Sequence, residues 1–182
     1  MMERTASIKR DTKETRIALT LSLDGTGSAD LDTGIGFFDH MLDGFARHGF
    51  FDLECKVKGD LQVDGHHTVE DVGIVLGEAL RGAFGEKTGI RRFASAYVPM
   101  DEALLFAALD VSGRPYLVFD APMPQERCGE YDTCLTVEFM RAFAMHAALT
   151  LHMKAFYGAN AHHITEGLFK ALGLALKDAK RV

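Results

Sequence analysis

Cysteine is scarce in this sequence, and its scarcity excludes two kinds of site. The three cysteines, Cys55, Cys128 and Cys134, form an odd-numbered set with no Cys-x-x-Cys pair. A disulfide framework needs cysteines in pairs, and a thiolate zinc site needs them closely spaced. We therefore expect three packed thiols and neither kind of site.

Long apolar runs are also missing. The longest, Ala103–Leu109, has seven residues, whereas a helix that spans a bilayer needs roughly 20. The N-terminal region mixes charges with short apolar alternation, so the sequence predicts neither a secretory signal nor a membrane anchor. A cytoplasmic protein with no membrane partner is the resulting expectation.

The sequence has no surplus of basic residues. It contains 20 Lys and Arg against 26 Asp and Glu, a formal net charge of -6. Nucleic-acid binding depends on excess positive charge facing phosphates, so we do not expect nucleic acid as a partner. A small anionic ligand held by a few local basic residues is compatible with this balance.

The sequence does contain a core and an internal repeat. Its 182 residues, 47% of them hydrophobic, suit one compact domain. The apolar spacing predicts one series of elements twice (strand, strand, helix, strand, helix), in halves of about 1–92 and 93–182, which is an α+β duplication. The predicted strands are 6–8, 17–23, 51–58, 103–111, 116–119 and 150–156, and the predicted helices are 37–47, 68–84, 135–149 and 164–179.

The repeat is plainest near the end of each half, where a His-His-x-x-Glu motif recurs. It spans His66–Glu70 in the first half and His162–Glu166 in the second. Ten residues after each first histidine, Leu76–Leu80 matches Leu172–Leu176. Two copies at matched places are far less expected by chance than one, so the motif predicts a shared function.

The motif has the geometry of a metal site. Its first histidine and its glutamate lie four residues apart, so on a helix they share a face and can bind one ion. The second histidine points about 100° away and can reach a second ion. If the halves are related by an approximate two-fold axis, each ion takes a histidine and a glutamate from one motif and the remaining histidine from the other.

Two more histidines, His40 and His152, lie among apolar residues and complete the predicted set, giving four ligands per ion. Imidazole and carboxylate without thiolate suit manganese, iron, zinc or cobalt, and an octahedral site with open positions favours manganese. His48 and His146 have no glutamate partner, and we interpret them as structural. The eight candidate ligands are His40, His66, His67, Glu70, His152, His162, His163 and Glu166.

These motifs resemble the imidazoleglycerol-phosphate dehydratase family of histidine biosynthesis, and the likeness extends from near residue 4 to residue 180. The segments that carry it are long and in order. They are Thr12–Thr15, Gly36–Leu42, Arg47–Gly49, Gly59–Asp60, His66–Gly73, Pro99–Leu104, Ser112–Pro115, Leu149–His152 and Asn160–His163.

The resemblance implies helices packed between two mixed four-stranded sheets, and trimers that assemble with metal into a shell of 24 subunits whose sites lie between subunits. It implies two divalent ions, usually Mn²⁺, acting as Lewis acids while water is removed from imidazole glycerol phosphate to give imidazole acetol phosphate. Glu14 corresponds to the family's proton shuttle. Arg92, Arg114 and Lys170 correspond to its phosphate-binding residues.

The sequence departs from the family at its end. The family pattern continues with Pro-Ser-Thr-Lys-Gly, whose Ser and Lys help to hold phosphate, whereas this sequence stops at Val182. We therefore expect either a truncated or incompletely recorded chain, or a shortened relative with a weaker phosphate site.

Two other functions remain open from the residues alone. One is a two-metal hydrolase, since paired ions can activate water. The other is a catalytically impaired protein in which the metals assemble a shell.

Overall fold

The computed structural model describes residues 4–182, in which ten strands and four helices form. In chain order they are β1 (Thr5–Asp11), β2 (Thr15–Ser22), β3 (Ala29–Asp32), α1 (Gly36–Gly49), β4 (Asp52–Gly59), α2 (His66–Phe84), β5 (Phe93–Met100), β6 (Ala103–Asp110), β7 (Tyr116–Asp120), β8 (Arg127–Cys128), β9 (Tyr131–Asp132), α3 (Leu135–Ala147), β10 (Thr150–Tyr157) and α4 (Ala161–Ala179).

Each half of the chain builds the same four-stranded sheet. The strand order is β1-β2-β4-β3 in the first sheet and β5-β6-β10-β7 in the second. In both sheets only the last pairing in that order is parallel. The short hairpin β8–β9 belongs to neither sheet and has no counterpart in the described part of the first half, residues 4–92. The predicted α+β duplication with two mixed four-stranded sheets is confirmed.

Each four-stranded sheet nevertheless has one strand more than the sequence pattern predicts, and the hairpin β8–β9 was not predicted either. The missed strands of the two four-stranded sheets, β3 and β5, lie at sheet edges. β3 has only four residues, two of them Asp, and β5 has one fully buried side chain, Val98. Edge strands bury little surface, so the apolar period that marks a strand in sequence is weak there. The repeated unit is therefore three strands, a helix, a strand and a helix, which corrects the predicted two-strand start.

The helices form a layer between the two sheets, in contacts that cross the halves. α2 packs on α3 and on β1 and β2, whereas α4 packs on α1 and on β5 and β6. One hydrophobic core runs through both halves. Among residues 4–182, no helix has the length and apolar character needed to cross a membrane.

Two equivalent glycines set the spacing of this layer. A Cβ atom on Gly77 of α2 would lie 2.7 Å from the carbonyl oxygen of Phe143 in α3, and one on Gly173 of α4 would lie 2.6 Å from that of Phe45 in α1. Only glycine allows backbones to approach this closely. The repeated Leu-Gly sequence thus brings each motif-bearing helix against the first helix of the opposite half.

Candidate functional site

Both histidine motifs lie at the start of a helix, and in both the side chain two residues before the first histidine accepts a hydrogen bond from that histidine's backbone N–H. The Asp64 carboxylate accepts a hydrogen bond from the backbone N–H of His66 at 2.8 Å, and the Asn160 side chain accepts one from that of His162 at 2.9 Å. Such side-chain acceptors satisfy the unpaired N–H groups of a helix start. The caps therefore fix where each motif begins.

Within each motif, the first histidine faces the glutamate one turn later. His66 Nε2 lies 3.7 Å from Glu70 Oε2, and His162 Nε2 lies 3.1 Å from Glu166 Oε2. The shared helical face expected from the four-residue spacing is present in both halves.

Helix α1 adds a third group to the second motif. His40 Nε2 lies 3.4 Å from Glu166 Oε2, and the ligand atoms of His40, His162 and Glu166 all lie within 4.8 Å of one another. Within residues 4–182, this is the only group of three or more His, Cys, Asp or Glu side chains with such spacing. It lies beside a cleft of about 780 Å³ that is also lined by Phe37, Gln125 and other residues.

The buried carboxylate of this cluster is charged. The Glu166 side chain is only 8% exposed, and Lys170 Nζ lies 2.7 Å from its Oε1. Burial acts to raise the pKa of Glu166, but the hydrogen bond and charge of Lys170, with the charge of His40, hold it below its ordinary value. The ionised group directs its other oxygen, Oε2, at the two imidazoles.

This donor set fits a divalent transition metal. Two imidazole nitrogens and one carboxylate oxygen suit manganese, iron, zinc or cobalt. His40 and His162 are about half exposed, so further ligands can approach from the cleft. His40, His162 and Glu166 are therefore suited to hold one such ion.

The second histidine of each motif is bound by a carboxylate from outside its helix. His67 Nδ1 lies 2.9 Å from Asp60 Oδ2, and His163 Nδ1 lies 2.7 Å from Glu102 Oε2. These hydrogen bonds raise the pKa of both histidines. The bond from His163, with backbone N–H groups of Ala159 and Asn160, lowers the pKa of Glu102 to about 2.

Sequence reasoning assigned no role to Asp60 or Glu102. Glu14 and Glu102 each directly precede the second strand of their half, but this match depends on β5, which the sequence pattern does not predict. Asp60 directly follows β4, and its signal in the sequence was the short Gly59–Asp60 segment that matches the family.

The other predicted ligands do not join the cluster within one chain. His66 and Glu70 form their own pair on α2. His152 lies on β10 between the buried residues Leu151 and Met153, so its exposed side chain points to the outer face of the second sheet, away from the helices. One chain thus assembles three of the eight candidate ligands.

Glu14 lies in the turn between β1 and β2, at the first motif. Its side chain is exposed and, among residues 4–182, has no hydrogen-bond or ion-pair partner. Its charge contributes to the raised pKa of His67, after the larger effect of Asp60. The carboxylate is therefore close to the first motif and unengaged.

The predicted phosphate residues separate into two groups. Arg92 and Arg114 share Asp110: Arg92 Nε lies 2.7 Å from Oδ1, and Arg114 Nη2 lies 3.5 Å from Oδ2. Lys170 instead binds Glu166. The backbone N–H of Arg92 donates to the carbonyl oxygen of Ala179, which lies nine residues after Lys170 on α4. Nine helical residues span roughly 13 Å, so the trio does not converge within one chain.

His48 and His146 occupy matching places near the ends of α1 and α3. His146 Nδ1 lies 2.9 Å from the Ala142 carbonyl oxygen. Burial, with the charges of Lys170 and Arg47, lowers the pKa of His48. Each helix then ends at a left-handed residue, Phe50 or Ala148.

Comparisons with known proteins place the chain in one family. Residues 33–176 match the family model described as imidazoleglycerol-phosphate dehydratase. The chain is 58% identical over 180 residues to the imidazoleglycerol-phosphate dehydratase of Acetivibrio thermocellus, covering 99% of this chain and 92% of that protein. It is 58% identical over 176 residues to that of Gluconobacter oxydans, covering 97% and 89%.

Two solved structures resemble the fold. The imidazoleglycerol-phosphate dehydratase of Staphylococcus aureus matches with a TM-score of 0.89 at 36% identity, covering 98% of this chain and 99% of that one. The enzyme from Pyrococcus furiosus matches with a TM-score of 0.83 at 36% identity, covering 96% and 93%.

Proposed function

The chain belongs to the imidazoleglycerol-phosphate dehydratase family and carries its activity, the dehydration of imidazoleglycerol phosphate in histidine biosynthesis, and from this premise we propose that it works with two bound divalent metal ions. Manganese is the ion we propose, because the donors are imidazole and carboxylate. We also propose the cytoplasm as its location. The relatives give no support to a hydrolase.

The cluster of His40, His162 and Glu166 is the observation that carries the metal proposal. Its three ligand atoms lie close enough together for one ion. In the other motif, His66 and Glu70 offer the matching histidine and carboxylate for a second ion. When bound, the ions act as Lewis acids that stabilise negative charge developing on the substrate's imidazole ring.

Proton transfer is assigned to Glu14. Removal of water from the substrate requires a proton to leave carbon and a hydroxyl to leave as water. A general base must reach that proton and later release it. Glu14 is exposed, has no side-chain partner among the described residues 4–182, and lies close to His67. It can therefore accept the proton and then deliver it to the departing hydroxyl.

Phosphate binding is assigned to Arg92, Arg114 and Lys170. The shared Asp110 carboxylate holds the two guanidinium groups near each other, and paired guanidinium groups suit a phosphate dianion. Asp110 ends β6, whereas Glu102 directly precedes it, and eight strand residues span roughly 25 Å. The arginine pair therefore serves best in the site of a neighbouring chain.

The positions of the remaining ligands also favour metal sites that are completed by neighbouring subunits. His152 lies on an outer sheet face, and His67 and His163 lie outside the three-residue cluster. We propose that sites form between subunits in an assembly of 24 chains built from trimers. Light scattering before and after chelation tests this, because loss of interfacial ions should reduce the particle size.

The activity itself is tested with metal-loaded protein, chelated protein and the variant Glu14→Gln. We expect imidazole acetol phosphate from the loaded protein, none after chelation and recovery when Mn²⁺ is restored. Glu14→Gln should lower kcat by about a hundredfold or more, as expected for loss of general acid-base catalysis, while exposed Glu86→Gln should not change it. Full turnover after chelation would reject the metal proposal, and full turnover of Glu14→Gln would reject the role of Glu14.

A further inference from the structure

We propose that Asp60 and Glu102 are positioning residues that orient the second histidine of each motif toward metal. Of the two equivalent glutamates, Glu14 and Glu102, this arrangement leaves only Glu14 without a partner within residues 4–182. The proposal rests on the metal-dependent function argued above. It explains why two equivalent glutamates have different environments.

Glu14 and Glu102 are equivalent by strand register. Each directly precedes the second strand of its half, β2 or β6. In the first sheet Leu21 pairs with Leu53, and in the second Leu109 pairs with Leu151. Both Leu21 and Leu109 lie seven residues after their glutamate. The duplication therefore placed the same side chain at the same turn twice.

In the second half this glutamate is fully engaged. Glu102 Oε2 is hydrogen-bonded to His163 Nδ1 at 2.7 Å. Its Oε1 accepts hydrogen bonds from the backbone N–H groups of Ala159 and Asn160 at 2.9 and 2.8 Å. Both oxygens are thus committed to the imidazole and to the loop that enters α4. Glu102 is not free to move a proton to or from substrate.

In the first half a different residue binds the imidazole. Six residues separate β4 from α2, against three between β10 and α4, and Asp60 is the first residue of this longer loop. Its Oδ2 meets His67 Nδ1 at 2.9 Å. The matching loop, Gly158–Asn160, contains no carboxylate. Because Asp60 holds His67, Glu14 is left unengaged.

Within residues 4–182, the Asp60 side chain has no other hydrogen bond or ion pair that would account for its place. Its Oδ1 is buried and, within residues 4–182, has no hydrogen-bond partner. A half-satisfied buried carboxylate costs free energy, so a structural role alone is a poor explanation. Within residues 4–182, the hydrogen bond to the His67 imidazole is the one charged contact of the Asp60 carboxylate.

These two carboxylate–histidine hydrogen bonds determine which tautomer His67 and His163 adopt. A carboxylate that accepts the Nδ1–H of a histidine keeps the lone pair on Nε2, the nitrogen then offered to a metal, and raises its basicity. Loss of such a partner typically weakens metal affinity by about 10- to 100-fold. The two halves achieve this with residues from unrelated places in the repeat.

The test measures Mn²⁺ affinity by competition with a chromophoric chelator in the full chain. We expect Asp60→Ala and Glu102→Gln to weaken affinity by about 10- to 100-fold, with Asp60→Asn between Asp60→Ala and wild type. Glu14→Gln and the exposed control Glu86→Gln should match wild type. With Co²⁺ as the probe, the visible spectrum at saturation should change in Asp60→Ala but not in Glu86→Gln.

Melting of the metal-free proteins separates positioning from folding. Glu102→Gln turns one of two acceptor oxygens into an N–H donor and leaves one oxygen for the imidazole and two backbone N–H groups. Asp60→Ala is therefore the cleaner variant and should melt near wild type without metal. Wild-type Mn²⁺ affinity and an unshifted cobalt spectrum in Asp60→Ala would overturn the proposal while leaving the dehydratase function intact. Failure of the wild-type chain to bind Mn²⁺ would instead overturn the two-metal function and this inference with it.

Discussion

Lys170 and His162 contact different oxygens of the Glu166 carboxylate. Lys170 Nζ is 2.7 Å from Oε1, and His162 Nε2 is 3.1 Å from Oε2. All three residues lie on α4, where a four-residue spacing places them along one face. The lysine therefore keeps the buried carboxylate ionised from one side while the other side faces imidazole.

This relationship makes Glu166→Gln a test of the cluster. The amide keeps the shape of the side chain but removes its charge, so the site loses its anionic ligand. We expect the Mn²⁺ retained after gel filtration to fall by about one ion per chain, measured by metal analysis. The matched control Glu86→Gln should retain the wild-type amount. Unchanged retention in Glu166→Gln would contradict the assignment.

The second prediction concerns the helix layer. Gly77→Ala and Gly173→Ala should each lower the free energy of unfolding by about 2 kcal/mol, because the new Cβ meets the backbone of the facing helix. Alanine normally stabilises a helix interior by about 1 kcal/mol relative to glycine. That gain should appear at Gly82 of α2, which is exposed. A Cβ atom added there would have Ala6 Cβ as its nearest neighbour, at 3.4 Å. Denaturant unfolding measures all three, and equal effects would refute the close-packing argument.

The third prediction is a pH dependence of stability from Lys180. Its buried ammonium donates to the carbonyl oxygens of Leu23, Gly49 and Phe50, and burial lowers its pKa from 10.5 to about 8. The unfolded chain thus binds more protons between these two values. The contribution of Lys180 to the free energy of unfolding should rise with pH across that window, by up to about 1.4 kcal/mol per pH unit.

Lys180→Gln isolates this effect, because the amide still donates hydrogen bonds but does not titrate. Unfolding of both proteins at about pH 7 and about pH 9 gives the comparison. Wild type should gain stability relative to Lys180→Gln as the pH rises. An identical pH dependence in the two proteins would show that Lys180 is not the source.

The fourth prediction addresses phosphate. Arg114→Met should raise KM for imidazoleglycerol phosphate by about 10- to 100-fold, the effect of losing a charged hydrogen bond, with Mn²⁺ content unchanged. Steady-state kinetics and metal analysis measure the two quantities. Arg141→Met removes a surface arginine whose partner is Glu138 and should leave both unchanged. A wild-type KM for Arg114→Met would remove it from the phosphate site.

Local spacing predicted much of this molecule. The positions of His66 and Glu70, and of His162 and Glu166, follow from helical geometry alone, and the buried faces of the helices follow from their apolar period. The edge strands β3 and β5 were missed because they bury too little surface to show such a period.

What local spacing could not supply was long-range contact. His40 meets Glu166 because α1 packs on α4 across the duplication, and Arg92 meets Arg114 through Asp110, which lies between them in sequence. Asp60 and Glu102 likewise reach their histidines from other elements. No sequence period encodes such pairs, because they depend on how the elements pack.

Anomalous diffraction from crystals of the Mn²⁺-loaded protein, recorded at the manganese edge, tests the central claim most directly. We predict two anomalous peaks per chain, one bonded to Nε2 of His40, Nε2 of His162 and a carboxylate oxygen of Glu166, and the other to the His66 and Glu70 pair. Well-ordered crystals with no peak between these side chains, in protein that forms imidazole acetol phosphate, would contradict it.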